Sequence, residues 1–367
     1  MYVKFNDLSR IHKPLIKDSL KAFSKAVENS QFVLNQDVQE FEKQYAEFTG
    51  QKYALGCANG TDALEIILRG LEIGIGDEVI IPVNTFIATA LAVSRTGATP
   101  VFVDNDEFYL IDTKKIEKKI NKKTKAIIAV HLYGQMADMS KIKAIAKKYK
   151  LKLLDDAAQA HGSYFLDTKV GDGSVAAAYS FYPGKNLGAW GDGGAVTTNS
   201  KAFYKKIKLI RDFGSKSKYE HEVLGFNSRL QPIQGIVLSK KLVDLKEWNE
   251  ERNEIAKIYE DKLSNLNQVV VPKTVPGNYH VWHLYVLRVK KRNELINFGK
   301  KNGVEFGIHY PKPVNKQNAY KSHRQSKSKF ELSDKYSRSL IPLPIFPKMK
   351  LSEVNYVVDV IKNMYSK

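Results

Sequence analysis

The chain has 367 residues, 43% hydrophobic and 26% charged, which is long enough for two domains and ordinary for a globular protein. Its net charge of +19 comes mostly from lysines interspersed with acids, not from arginine clusters with interleaved aromatics, so a nucleic-acid module is not expected. No apolar run is long enough to span a bilayer, residues 1–10 do not read as a signal peptide, and the lone Cys57 excludes an internal disulfide framework, so a cytoplasmic protein with no membrane partner is expected.

In chain order, an amphipathic segment over 13–29 precedes a break at 34–36. A second helix follows, with Val38, Phe41, Tyr45 and Phe48 on one face and Gly50 as its C-terminal cap. Short apolar runs then alternate with helical patterns: strands at 53–57, 78–81, 99–103, 126–132, 151–154, 175–181 and 195–198, with helices at 62–71, 88–96 and 141–149 among them. Strands separated by helices predict βαβ units, hence an α/β fold with a mainly parallel sheet covered on both faces. Beyond residue 240 the pattern changes. A long helix over 237–263, an aromatic strand over 280–289, a helix over 292–301, a strand-like piece over 304–310, a mobile polar stretch over 315–329 and a closing helix over 352–364 predict a smaller α+β domain. The expected division is a large domain at 1–240, whose N-terminal helices also contribute to the second domain, and a small one at 241–367.

In open α/β sheets ligands sit in the loops at the carboxyl ends of the strands. Four loops here carry suggestive residues. In the loop 58–62, Gly60 permits close backbone approach and Thr61 adds a hydroxyl at a helix N-terminus, a place that favours phosphate but also a plain N-cap turn. Phe86 offers an aromatic face, or is a core residue. Asp155 and Asp156 end a buried strand on opposite faces, so one can be structural while the other meets a cation. His161 lacks companions for a metal site, and no metal is expected. Lys185 lies between two apolar runs, where it either snorkels or has an amine able to lose its proton and attack a carbonyl. An imine-forming lysine, a strand-end carboxylate, a phosphate cradle and an aromatic plate together match pyridoxal 5'-phosphate.

The chain resembles the DegT/DnrJ/EryC1/StrS family of nucleotide-sugar aminotransferases. The resemblance rests on Asn59-Gly60-Thr61-Asp62-Ala63-Leu64, Asn84-Thr85-Phe86, His131-Leu132-Tyr133-Gly134, Asp156-Ala157-Ala158-Gln159 and Lys185-Asn186-Leu187-Gly188, and it covers essentially the whole chain. It implies an aspartate-aminotransferase-like architecture (fold type I). It also implies that Lys185 is the Schiff-base lysine and proton-transferring base, and that Asp156 pairs with the pyridinium nitrogen. Gln159 would contact the ring side through its oxygen, Phe86 would cover one ring face, and Gly60, Thr61 and Ser180 would hold the phosphate. Asn227 would reach the phosphate of a neighbouring subunit in a homodimer with shared sites, and Tyr182, His309 and Tyr310 would meet the sugar. Asn35 stands where the family has glycine, a swap compatible with a left-handed conformation.

Tyr182 in Phe181-Tyr182-Pro183, together with 307–311, is similar to members acting on dTDP-3-keto-6-deoxyhexoses. The expected reaction is therefore 3-amination of such a nucleotide-linked keto sugar, with L-glutamate as donor. The alternatives are a 4-aminotransferase on a UDP- or dTDP-4-keto sugar and a non-catalytic basic binding protein. A dehydratase of the same fold would carry histidine at position 185, so Lys185 argues against it.

Overall fold

In the computed structural model, which describes residues 1–366, seven strands form one central sheet. They are β1 (Tyr53–Cys57), β2 (Glu78–Pro82), β3 (Thr99–Val103), β4 (Thr124–Val130), β5 (Lys152–Asp156), β6 (Ala176–Ser180) and β7 (Gly194–Thr198). Their spatial order is β1-β7-β6-β5-β4-β2-β3. Only β7 runs antiparallel to its neighbours, so the carboxyl ends of the other six strands share one edge. The strands read as unbroken apolar runs because both faces are covered: every residue of β2 is buried, and all of β4 except Lys125. The mainly parallel α/β sheet expected from the sequence is the one formed.

The helices around it include α1 (Ile16–Glu28), α2 (Gln36–Thr49), α3 (Gly60–Gly70), α4 (Ile87–Arg95), α5 (Met139–Lys148) and α6 (Lys201–Arg211). Helix α2 buries Val38, Phe41 and Tyr45 and ends at Gly50, whose φ of 73° and N–H bonds to Ala46 and Glu47 make the anticipated cap. Its start differs from expectation. Asn35 is extended and caps the helix, accepting from the Val38 N–H at 3.2 Å, while Leu34 takes the left-handed conformation at φ 48°. Asparagine at that site supplies a capping oxygen, not an αL backbone.

Further differences lie in the C-terminal third. The long helix is two, α7 (Pro232–Leu242) and α8 (Leu245–Leu263), divided at Val243–Asp244. The aromatic strand is shorter than its apolar run, Tyr285–Val289, because Val281 and Leu284 give their N–H groups to Gly134 and Tyr133 instead of to a sheet. Residues 304–310 form no strand, and Val304 makes one isolated bridge to Val3. The polar stretch is not free either. The Gln325 carboxamide pairs with both backbone groups of Phe102, at 2.8 and 3.0 Å, and so covers the open edge of β3.

Two cores result. The larger surrounds the seven-stranded sheet and also takes in Val314, Tyr320, Phe330 and Tyr336. The smaller packs Val3, Tyr259, Val357 and Ile361 around a second sheet, β8 (Val269–Val270), β9 (Tyr285–Val289) and β10 (Leu340–Leu343). No helix among the described residues is long and apolar enough to cross a membrane.

Candidate active site

At the shared edge, Gly60 opens α3 against the end of β6. A Cβ on Gly60 would lie 2.6 Å from Ser180 Cβ, and one on Gly194 would lie 2.4 Å from the Asn59 carbonyl carbon, so both glycines are demanded by close approach. Asn59 caps the helix, its Oδ1 accepting from the Asp62 N–H at 2.9 Å, and its carbonyl takes the Ala63 N–H. The Gly60 and Thr61 N–H groups keep no protein partner among the described residues, and the Ser180 hydroxyl sits beside them. Two orphan amides and a hydroxyl at a helix N-terminus make an anion cradle. The turn is tied down from outside: Ser228 Oγ donates to Asp62 Oδ2 at 2.8 Å and accepts from the Ala58 N–H. Arg95 pairs with Asp62 at 3.0 Å.

The two carboxylates of β5 divide as the strand alternation requires. Asp155 is wholly buried and accepts from the Gly171 N–H and Ser174 Oγ, both at 2.7 Å, with His131 Nε2 at 3.5 Å. Asp156 faces the cleft edge. Its Oδ2 accepts from Thr89 Oγ1 at 2.7 Å and its Oδ1 from the Ala158 N–H at 3.2 Å. Burial pushes its pKa above the ordinary carboxylate value, while Thr89, Ala158 and the Lys185 charge act to lower it. Thr89 is in turn bonded to Thr85, in the bend just before α4, at 2.8 Å. Thr89→Val should therefore cost about 1 kcal/mol of stability and raise the Asp156 pKa further. An activity that needs the carboxylate charged should then lose its acid limb about one pH unit higher, which a pH–rate profile checks.

Lys185 follows β6 on a loop that is held at several points. Its own N–H bonds to the Tyr182 carbonyl at 2.8 Å, Ala189 N–H to Phe181 O at 2.8 Å, and a Cβ on Gly188 would lie 2.2 Å from the Pro183 oxygen. Lys241, fully buried, donates to the Gly188 carbonyl and lies 3.2 Å from His12 Nε2. Asn186 is held by Asn249 and Val281. The Lys185 amine itself finds no hydrogen-bond partner among the described residues. Burial lowers its pKa to about 8, against the pull of Asp156. His161 and His309 near it are kept neutral by burial, at about 3 and about 4, and the Lys185 charge pushes the same way. His161 is structural, spending Nδ1 on Tyr45 OH and donating Nε2–H to the Ser180 carbonyl, as its lack of companions implied.

The orientation of Gln159 is fixed by the protein: its Oε1 accepts from the Tyr133 N–H at 2.7 Å, and its amide nitrogen donates to Tyr310 OH at 3.1 Å. A backbone N–H can only donate, which fixes the choice. Phe86 is about half exposed and lies 5.7 Å from the Tyr310 ring. Tyr133 OH donates to the His309 carbonyl at 2.6 Å, and the His309 ring stacks on Phe5. Tyr182 stands on the rim, 60% exposed. Asn227 is not brought into this cleft: its side chain is exposed and accepts from Arg229. Thr89, Asn186 and Asn249 were not singled out from the sequence. The hydroxyl pair Thr85 and Thr89, flanking the start of α4, and the amide directly after Lys185 were the available signals.

A cofactor with a phosphate, an aldehyde and a basic ring nitrogen fits this set. The orphan amides at α3 suit the phosphate, the unpartnered amine of Lys185 suits the aldehyde, and the buried Asp156 carboxylate lacks a cation of its own. No cluster of three or more His, Cys, Asp or Glu among the described residues could hold a metal.

Comparison with known proteins agrees with this chemistry. Residues 14–362 match the model of the DegT/DnrJ/EryC1/StrS aminotransferase family. A dTDP-3-amino-3,6-dideoxy-alpha-D-galactopyranose transaminase of Aneurinibacillus thermoaerophilus is 44% identical over 360 residues, 98% of each chain. A dTDP-3-amino-3,4,6-trideoxy-alpha-D-glucose transaminase of Streptomyces venezuelae is 38% identical, covering 98% of this chain and 95% of its own. The crystal structure of S. venezuelae DesV in complex with a ketimine intermediate superposes with a TM-score of 0.97 at 37% identity, over 100% of this chain and 99% of that one. The chain is a pyridoxal-phosphate-dependent enzyme of the DegT/DnrJ/EryC1/StrS aminotransferase family.

Proposed function

We propose that the protein transfers the amino group of L-glutamate to C3 of a dTDP-3-keto-6-deoxyhexose, releasing 2-oxoglutarate and the dTDP-3-amino-3,6-dideoxyhexose. The observation that carries the amine chemistry is Lys185: a partly buried amine, without a protein partner, with a pKa lowered to about 8 and Asp156 as its opposing charge. Near neutral pH a useful fraction of it is uncharged, and the rest can give up a proton cheaply. Pyridoxal phosphate, when bound, supplies an electron sink for the carbon that loses a proton.

The chain's own residues do the rest. Gly60, Thr61 and Ser180 bind the phosphate. Asp156, oriented by Thr89, stays ionised against the ring nitrogen. Phe86 covers a ring face, and Gln159 fixes Tyr310. Lys185 Nζ takes a proton at one carbon and returns it at the other. Tyr182, His309 and Tyr310 meet the sugar, and the excess of positive charge draws in the nucleotide's diphosphate.

The choice of C3 is supported by Tyr182 in its Phe-Tyr-Pro setting and by the activities named for the relatives above. With glutamate as donor, kcat/KM for dTDP-3-keto-6-deoxyglucose should exceed that for the 4-keto isomer by at least about 100-fold. Turnover of the 4-keto sugar alone, read by NMR of the product, would overturn the assignment.

The assembly we propose is a homodimer in which Asn227 serves the neighbouring site. Its exposed side chain supports this, as do Tyr219 and Leu224 nearby, 85% and 93% exposed. The single cysteine, buried and reduced, supports a cytoplasmic setting.

A further inference from the structure

Asn186 follows the lysine and is 2% exposed. Its side chain is wholly committed to segments outside the lysine loop. Nδ2 donates to Asn249 Oδ1 on α8 at 2.9 Å and to the Val281 carbonyl at 2.8 Å, and Oδ1 lies 3.2 Å from His283 Nδ1. The orientation is determined. A carbonyl can only accept, so the nitrogen of Asn186 faces Val281, and its oxygen must face His283. That oxygen also only accepts, so His283 carries its proton on Nδ1 and leaves Nε2 as a lone pair.

The backbone around His283 is held as firmly. Val281 N–H bonds to the Gly134 carbonyl at 2.9 Å and Leu284 N–H to the Tyr133 carbonyl at 3.2 Å. Gly134 has a φ of 112°, and a Cβ there would come within 2.8 Å of the His283 nitrogen. Burial holds the imidazole well below its ordinary pKa, and of the charges that push the same way Lys185 contributes most. The ring is therefore neutral, a donor to Asn186 that adds no positive charge beside an amine that has to lose its own.

We propose that His283 is a positioning residue for Lys185: its Nδ1–H fixes the Asn186 carboxamide, and through it the loop that presents the amine. The chain thereby couples α8, the 281–284 segment and the lysine loop through one amide. The inference rests on Lys185 being the cofactor-bearing residue.

The test uses the full-length, cofactor-loaded enzyme. His283→Asn places an amide nitrogen where Nδ1 stands, and His283→Phe keeps a ring but removes the donor. Visible-absorbance titration, kcat and KM for the keto sugar, and the thermal midpoint are measured for both. The phenylalanine variant should bind cofactor, keep KM within about twofold and lose kcat by about 10–100-fold, the scale of a misplaced reacting group. Its absorbance midpoint should shift by at least about half a pH unit. The asparagine variant should return kcat to within about threefold of wild type, with the wild-type titration.

Wild-type kcat and titration in His283→Phe would overturn the proposal. So would a folded His283→Asn as impaired as the phenylalanine variant. Should His283→Phe fail to fold, His283→Leu and Asn186→Ala serve instead: each alone should lower kcat by about 10–100-fold, the double variant should lose no more than the worse single one, and additive losses overturn the proposal. A wild-type protein with no visible cofactor band would sink the Lys185 assignment instead, so the two failures are distinguishable.

Discussion

Lys185→Ala is expected to lower turnover by at least about 10^4-fold, because in the proposed reaction one group acts as both nucleophile and proton carrier. The visible band and the borohydride-stable adduct should both vanish. The fold should survive. The amine makes no hydrogen bond among the described residues, so no partner is stranded, and the loop stays held by Asn186, Gly188 and Ala189. The sign of the stability change follows from linkage. Burial takes the pKa from 10.5 to about 8, so between those values the unfolded chain binds more protons and folding is favoured as pH rises. Below about 8 the folded, cofactor-free protein carries the full cost of a desolvated ammonium. The alanine variant without cofactor should therefore melt no lower than wild type at pH 7, and its advantage should disappear towards pH 10.5. Residual activity above about 1% of wild type would remove Lys185 from the mechanism.

Asp156→Asn should fold, its amide oxygen keeping the Ala158 N–H and its amide nitrogen donating to Thr89 Oγ1, yet lose on the order of 10^2–10^3-fold in kcat, the scale of one preorganised electrostatic partner. Its pH signature is specific. Burial raises the folded pKa of Asp156, so its contribution to stability is present below the carboxylate range and is lost as pH rises through it. At neutral pH the ionised group is a buried anion whose cost a bound cation relieves. Cofactor loading should thus raise the melting temperature of wild type more at pH 7 than at pH 4. In the asparagine variant that difference should flatten, and differential scanning fluorimetry reads both. Equal stabilisation of wild type at the two pH values would separate Asp156 from the cofactor's ring.

Much of this was written in local patterns. Apolar runs separated by helical periodicity are sufficient for a covered parallel sheet, because a strand buried on both faces cannot alternate. The adjacent carboxylates could be divided before any coordinates, since successive side chains on a strand point apart: Asp155 binds backbone and Ser174, and Asp156 faces Thr89. The C-terminal third was less legible. Residues 281–284 have strand composition, but the N–H groups of Val281 and Leu284 go to Gly134 and Tyr133, and the polar 315–329 stretch is ordered by Gln325 against β3.

The sequence by itself determined the residue types that do the chemistry and the order in which they occur, because those depend on local propensity and on motif spacing. Tertiary structure alone decided which atom of each group is free. The Gln159 oxygen is taken by Tyr133, the Asn186 amide is shared among three segments, and the Lys185 amine is left without a partner. Hydrogen-bond satisfaction is a property of neighbours brought together from distant parts of the chain, and no local pattern carries it.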